Sequence, residues 1–377
     1  MTPKEILTNP AFCVLPWTGF IMEADGNIKN CVASTSSLGN VNNDTIENIL
    51  NDLPNRMHKT FMKEGIKIGA CNTCYTQEQN EGRQDIISSR IYYRRELKSV
   101  PLTTYDSGFS LHHVDVRWSN ACNLACVYCG PKNSSRWADE IGQVPQLSED
   151  AKQHTKEYIF KHAHQLKNVY LAGGEPLLMK ENLEFLELLL AVNPDVHLRI
   201  NTNLSVVDTK IFNVICKFKN VHWIISVETM NEQFEYIRFG ADWQIFLENL
   251  KLIKTFDHKI SFNMLWFLLN STEIFDTIDY FISIGFHPNS FVLGPITGPK
   301  YLDIRNLPNN KLELLKQQLE TRLKNSTTDL VYHGYRLLLN HLAQPFDADF
   351  NNSLHQLSIL DKRRNIDCQT MFPNLYA

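Results

Sequence analysis

The sequence predicts an α/β chain: a partial βα barrel of six strands, a small cysteine-rich α+β module ahead of it and a helical extension behind it. Three observations carry this. From residue 111 short apolar segments alternate with longer helical patterns, as βα units on a parallel sheet do. Six such strands fit into about 180 residues, whereas a complete eightfold barrel takes about 250. After Pro308 the pattern is mainly helical to about residue 363. The 377 residues are therefore expected to divide as 1–110, 111–300 and 301–377.

Residues 1–80 are rich in Asn, Gly, Pro and Thr, with short apolar runs such as 19–22. Glu23-Ala24-Asp25-Gly26-Asn27 is a turn sequence between two short strands. A short helix is expected at 44–53 and a second one leading up to Cys71. The crossover at about 80–110 carries Arg83, Arg90, Arg94 and Arg95 and is expected to pack over the barrel segment. Barrel strands are expected at 113–118, 168–172, 197–202, 222–227, 260–267 and 290–293. Helices are expected at 180–191, 208–218, 243–256 and 273–284.

Composition narrows the functional classes. Hydrophobic residues make up 43% and charged residues 21%, as in ordinary globular chains. A net charge of −4 with mixed signs gives no basic footprint for nucleic acid. The N-terminus lacks the basic-then-apolar layout of a secretory signal, and no run reaches the roughly 18–20 apolar residues of a membrane span. A cytoplasmic protein is expected. Nine cysteines, an odd number without a signal, argue against a secreted disulfide framework. Seven precede residue 130, and five of these sit in C-x-x-C or C-x-x-x-C spacings, which in a reducing compartment bind metal.

The strand at 113–118 runs directly into a loop carrying Cys122, Cys126 and Cys129. Three thiols on one loop hold three corners of a cubane cluster and leave one iron open, where four would close it. Zinc knuckles favour paired C-x-x-C units giving four ligands. Cys-x3-Cys-x-aromatic-Cys, with Tyr128 as the aromatic, at the end of the first strand of a βα unit strongly resembles the radical S-adenosylmethionine (SAM) superfamily. That resemblance implies a [4Fe–4S] cluster whose open iron chelates SAM, and reductive cleavage to a 5′-deoxyadenosyl radical that abstracts a hydrogen atom. It also implies a reductant such as flavodoxin or ferredoxin, and a barrel of the radical SAM type.

Further motifs follow in the superfamily's order. Gly173-Gly174-Glu175-Pro176, directly after the second strand, resembles its GGEP motif, where glycines let backbone carbonyls approach the methionyl amine of SAM. Asn201-Thr202-Asn203-Leu204 is similar to its Thr-Asn-Gly, with Leu204 in place of glycine. Ser226-Val227-Glu228 resembles the segment that contacts the ribose. Arg238 and Asn263 are expected to meet the SAM carboxylate, and Gly294-Pro295-Ile296 resembles the segment bordering the adenine. Sites at the C-terminal ends of successive strands are what barrel architecture favours.

Cys13, Cys31, Cys71 and Cys74 make a full set for a second, closed cluster; spacing alone also allows a structural zinc. The flanking text, including Asp25-Gly26-Asn27 and Cys71-x2-Cys74-x3-Glu78-x3-Gly82, resembles the twitch or SPASM auxiliary modules. The resemblance implies an auxiliary [4Fe–4S] cluster; four available thiols favour its relaying an electron from a substrate radical over binding substrate at a missing ligand. Relatives often carry two adjacent cysteines after the Asp-Gly turn, whereas Cys31 is followed by Val32.

Cys216 reads as a buried apolar residue on a helix. Cys368 reads mainly as structural, with hydrogen donation at the barrel mouth as an alternative. For His112, His113, His162 and His164, surface or strand-end positions suffice. By analogy the substrate is expected to be a peptide or protein side chain; the alternatives are a nucleotide or small metabolite, or a non-catalytic SAM-binding iron–sulfur sensor.

Overall fold

A computed structural model describes residues 2–79, 88–325 and 330–377. Gly82 and Arg83 lie outside the described residues. The chain forms two compact units. One comprises residues 1–122, 131–201 and 208–222, the other 123–130, 202–207 and 223–377.

The first unit holds strands β1 (Gly19–Met22), β2 (Asn27–Lys29), β3 (Gly39–Asn40), β4 (His113–Val116), β5 (Asn168–Leu171) and most of β6 (His197–Thr202). Their order is β3-β2-β1-β4-β5-β6. β1 and β2 form the expected hairpin, with Gly26 at φ 83° in its turn, a conformation open to glycine at little cost. The cysteine-rich segment does not stand apart from the sheet. β1 pairs in parallel with β4, placing Gly19 beside His113, and a Cβ on Gly19 would meet the His113 carbonyl oxygen at 2.6 Å.

Two faces of this sheet differ in chemistry, as the two-residue period of a strand dictates. Val114, Val116, Val169, Leu171, Leu198 and Ile200 are all fully buried on one face. The other carries Asp115, Tyr170 and Arg199 in register across β4, β5 and β6. The helix Ser89–Glu96 packs against the end of this polar face that carries His113 and His197 and reaches Arg199. Tyr93 lies 4.4 Å from the His113 ring, Tyr92 lies under the Arg199 guanidinium at 4.7 Å, and the Glu96 carboxylate is 2.8 Å from His197 Nδ1. His112 and His113 are buried at the start of β4, a strand-end position as expected. Burial, aided by the Arg199 charge, lowers the His113 pKa to about 3 and keeps it neutral.

The second unit contains most of β7 (Val221–Ser226), with β8 (Lys259–Trp266) and β9 (Phe291–Pro295) paired in parallel. Phe262 and Phe291 stack across that pair at 5.2 Å. The helices Trp243–Ile253 and Glu273–Ser283 match the expected spans to within three residues. Helices Asn309–Asn325, Leu330–Leu342 and Phe350–Arg364 form the expected extension. The second of these approaches β9 so closely that a Cβ on Gly334 would meet Leu293 at 2.7 Å. Among the described residues no helix is long and apolar enough to cross a membrane.

Candidate active site

The first unit gathers the four N-terminal thiols. Cys13 precedes the short helix Leu15–Thr18, and Cys31 follows β2. Cys71 closes the turn Gly69–Cys71, and Cys74 sits in the first turn of the helix Asn72–Gln79. All four are free; Cys13, Cys31 and Cys74 are buried and Cys71 is half-buried. Cys13 and Cys31 belong to an apolar cluster with Phe12, Trp17, Met62 and Tyr93, and Cys71 packs against it. Burial, then the neighbouring thiols, raises Cys31 to about 11 and Cys71 to about 12. Such thiols keep their protons until a metal replaces them. Four thiols are a full set of ligands for a closed cluster, so this donor set fits an auxiliary cluster.

The first unit also holds the start of the three-cysteine loop. Ser135 fixes Cys122 twice: its hydroxyl accepts from the Cys122 N–H at 3.1 Å and donates to the Cys122 carbonyl at 3.1 Å. The Glu175 N–H donates to the Ala121 carbonyl at 2.8 Å. Gly173 adopts φ +117°, and a Cβ on Gly174 would lie 2.2 Å from the Ala121 oxygen. The Glu175 side chain is buried and caps its own turn, accepting from the Leu177 N–H at 3.1 Å. This part of the GGEP motif therefore braces the segment that carries Cys122.

The rest of the loop lies in the second unit. Ala125 and Val127 donate to the carbonyls of Phe239 and Ile237 at 2.9 and 2.8 Å, so this stretch runs beside the segment bearing Arg238. The Arg238 guanidinium grips the Glu228 carboxylate through two 2.8 Å hydrogen bonds, with both side chains buried. The Tyr128 hydroxyl donates to Glu228 at 3.0 Å, and Arg238 Nη1 points at Cys126 Sγ from 3.9 Å. Arg238 and Glu228, expected to meet separate parts of SAM, are brought to each other. Against the cost of burial, the Glu228 carboxylate holds the guanidinium charged.

Asn203 donates to Asn123 Oδ1 at 3.2 Å and accepts from the Ser205 N–H at 2.9 Å, and Ser205 in turn bonds Asn123. Asn123 and Ser205 were not among the expected residues; no spacing motif marks them. Leu204, where the superfamily has glycine, takes φ 57° while fully buried. Ser226 ends β7 and Asn263 lies within β8. Gly294 lies in β9, with open space where a Cβ would be. Ile296 prolongs the β8–β9 ladder, its N–H donating to the Trp266 carbonyl at 2.9 Å.

Cys216 and Cys368 belong to neither set of thiols. Cys368 is fully buried and its N–H donates to Asp361 at 2.9 Å; the thiol lies among Tyr236, Tyr376 and Asp361. Sealed in this way, it is not a thiol at a barrel mouth. Cys216, expected to be buried, is half-buried at the end of the helix Lys210–Ile215.

Comparison with known proteins finds two family matches and several relatives. Residues 116–292 match the model of the radical SAM superfamily, and residues 13–75 match that of the SPASM iron–sulfur cluster-binding domain. The chain is 21% identical over 262 residues to a GTP 3′,8-cyclase of Sulfurimonas denitrificans, covering 66% of this chain and 77% of that one. It is 21% identical over 273 residues to a GTP 3′,8-cyclase of Campylobacter lari, covering 69% and 81%. A structure of anSMEcpe with bound AdoMet aligns at 16% identity and TM-score 0.43, covering 58% of this chain and 63% of that one. Streptococcus suis SuiB bound to the precursor peptide SuiA aligns at 14% identity and TM-score 0.43, covering 75% and 65%. This chain thus spans less than two thirds of the length of either of these two solved chains.

Proposed function

We propose that this chain, a radical SAM enzyme with a SPASM iron–sulfur domain, abstracts a hydrogen atom from its substrate and passes the surplus electron of the substrate radical to an auxiliary cluster. The observation that carries this is the division of thiols: three on the loop after β4, and four brought near one another in the first unit, with Cys13, Cys31 and Cys71 in or against one apolar cluster. Three leave a cluster open to a cofactor and four close one.

Cys122, Cys126 and Cys129 would hold the first cluster, which when bound supplies the electron that cleaves SAM to methionine and a 5′-deoxyadenosyl radical. Gly174 and Glu175 brace the backbone before Cys122. The Asn123–Ser205–Asn203 network holds the backbone after it. Arg238 aims a charge-assisted donor at the Cys126 sulfur while Glu228 and Tyr128 fix its orientation. The edges at Gly173, Gly174, Ser226, Asn263, Gly294 and Ile296 are assigned to SAM. Cys13, Cys31, Cys71 and Cys74 would hold the auxiliary cluster, which when bound accepts one electron as the oxidised substrate loses a proton. An external one-electron donor such as flavodoxin or ferredoxin completes the cycle, and the free thiols suit a reducing, cytoplasmic setting.

For the substrate, the polar face of the first unit favours a nucleotide or small anionic metabolite over the peptide or protein side chain expected by analogy. Arg199 stacks between the rings of Tyr92 and Tyr170 at 4.7 and 4.9 Å. Its Nε and the Asn201 Oδ1 are buried without hydrogen-bond partners, as groups awaiting a polar ligand are. The similarity to GTP 3′,8-cyclases supports the same class. The test is to incubate reconstituted enzyme with SAM and dithionite, adding nucleotides or peptides, and to read 5′-deoxyadenosine and substrate mass. Stimulation by nucleotides supports this reading, and stimulation by peptides alone overturns it.

A further inference from the structure

Beside the N-terminal thiols lies an ion pair of the buried Arg90 with the half-buried Glu78 that the proposed chemistry has not used. Arg90, on the helix Ser89–Glu96, is 8% exposed. Its guanidinium makes a two-point contact with the Glu78 carboxylate, through Nε at 3.0 Å and through Nη2. Nη1 donates to the carbonyls of Phe12 at 3.3 Å and Asn9 at 3.4 Å. Phe12 immediately precedes Cys13. The guanidinium also lies 5.5 Å from the ring of Tyr75, the residue directly after Cys74. Glu78 is four residues beyond Cys74 on the same helix and accepts a hydrogen bond from the Ser88 hydroxyl. One side chain thus touches the segments that carry Cys13 and Cys74.

We infer that Arg90 is a positioning residue that sets the reduction potential of the auxiliary cluster, with Glu78 as its counter-charge. This rests on the proposed reading of Cys13, Cys31, Cys71 and Cys74 as cluster ligands. A cluster that takes up an electron gains negative charge, and its potential follows the net charge and hydrogen bonding around its sulfurs. A guanidinium in a buried, weakly screened place favours the reduced form, and a carboxylate disfavours it. Neutralising either partner therefore moves the potential in opposite directions, which a purely structural ion pair would not do.

The test uses the full chain with Cys122, Cys126 and Cys129 changed to Ala, so that iron binds only in the N-terminal cage. Each variant is reconstituted without oxygen, its iron is counted, and the cluster is titrated potentiometrically by electron paramagnetic resonance. Arg90→Gln is expected to lower the reduced-to-oxidised ratio at the parent midpoint at least tenfold, a shift of about 59 mV for one electron. Glu78→Gln is expected to raise the midpoint, and Arg90→Lys to lie between parent and Arg90→Gln. If Arg90→Gln fails to assemble a cluster, the upward shift in Glu78→Gln carries the test alone. Variants that keep their iron and the parent midpoint overturn the role of Arg90 while leaving the auxiliary cluster standing. A parent that binds no iron in this cage overturns both.

Discussion

The backbone N–H of Glu175 donates to the carbonyl of Ala121 across 2.8 Å, and Gly174 beside it leaves no space for a side chain. A motif expected to open the backbone towards a ligand therefore also locks the strand end after β5 to the residue that precedes Cys122. Both roles require glycine, for the same reason: the neighbouring oxygen occupies the place a Cβ would take.

Gly174→Ala is accordingly expected to displace the backbone before Cys122 while the N-terminal cage stays intact. A shift of about 1 Å at a reacting site costs roughly a hundredfold in rate. Formation of 5′-deoxyadenosine should fall by about that factor, and iron should drop from about eight to about four per chain. Retention of full iron and full SAM cleavage would contradict the locking role.

Arg238 and Glu228 form one buried unit, so each is expected to be costly to remove alone. Arg238→Ala or Glu228→Ala should destabilise the fold by about 3–5 kcal/mol, because the surviving partner is left unpaired. The double variant should cost less than the sum, with a coupling of about 0.5–3 kcal/mol. Denaturant unfolding of the four proteins measures this; additive losses would show that the pair is not coupled.

Two effects oppose each other at Leu204. Relief of the left-handed backbone by glycine is worth roughly 1–2 kcal/mol, whereas deleting a fully buried leucine side chain costs about 2–5 kcal/mol. Packing wins, so Leu204→Gly should lower the denaturation midpoint by a net cost of about 1–3 kcal/mol. A more stable variant would mean that backbone strain dominates.

Asp303 governs stability in acid. It is fully buried against Arg305 at 2.6 Å and His341 at 3.1 Å. Burial alone would raise its carboxyl, but Arg305 and His341 outweigh this and hold it far below the usual carboxylate range. A carboxyl lowered in the folded state stabilises fully above its unfolded pKa of about 3.9, and the contribution is lost as pH falls towards the folded value. Unfolding free energy should therefore decline steeply below about pH 5. Asp303→Asn should cost about 3 kcal/mol at pH 7 and flatten that decline. Parallel pH profiles of the two proteins would contradict the assignment.

The alternation of apolar runs located the barrel strands to within two residues at nearly every end, because strands buried on one face announce themselves locally. The joining of Gly19–Met22 to His113–Val116 was not legible, since pairing across some ninety residues leaves no local signature. Cysteine spacing marked five of the seven ligand candidates, and Cys13 and Cys31 were added because they complete a set of four. What spacing could not show is which of the flanking polar groups pair with one another. Glu228 with Arg238, Asn123 with Asn203, and Glu78 with Arg90 each satisfy a buried charge or amide through the tertiary fold. At Leu204 the departure from glycine was legible, whereas the left-handed backbone it adopts was not.

The central claim is that the chain holds two clusters, one on each set of cysteines. Counting iron and sulfide per chain after oxygen-free reconstitution tests it most directly. The account predicts about eight irons in the parent, about four when Cys122, Cys126 and Cys129 are changed to Ala, and about four when Cys13, Cys31, Cys71 and Cys74 are changed instead. About four irons in the parent, with zinc or no metal in the N-terminal cage, would contradict it and leave that module a structural one.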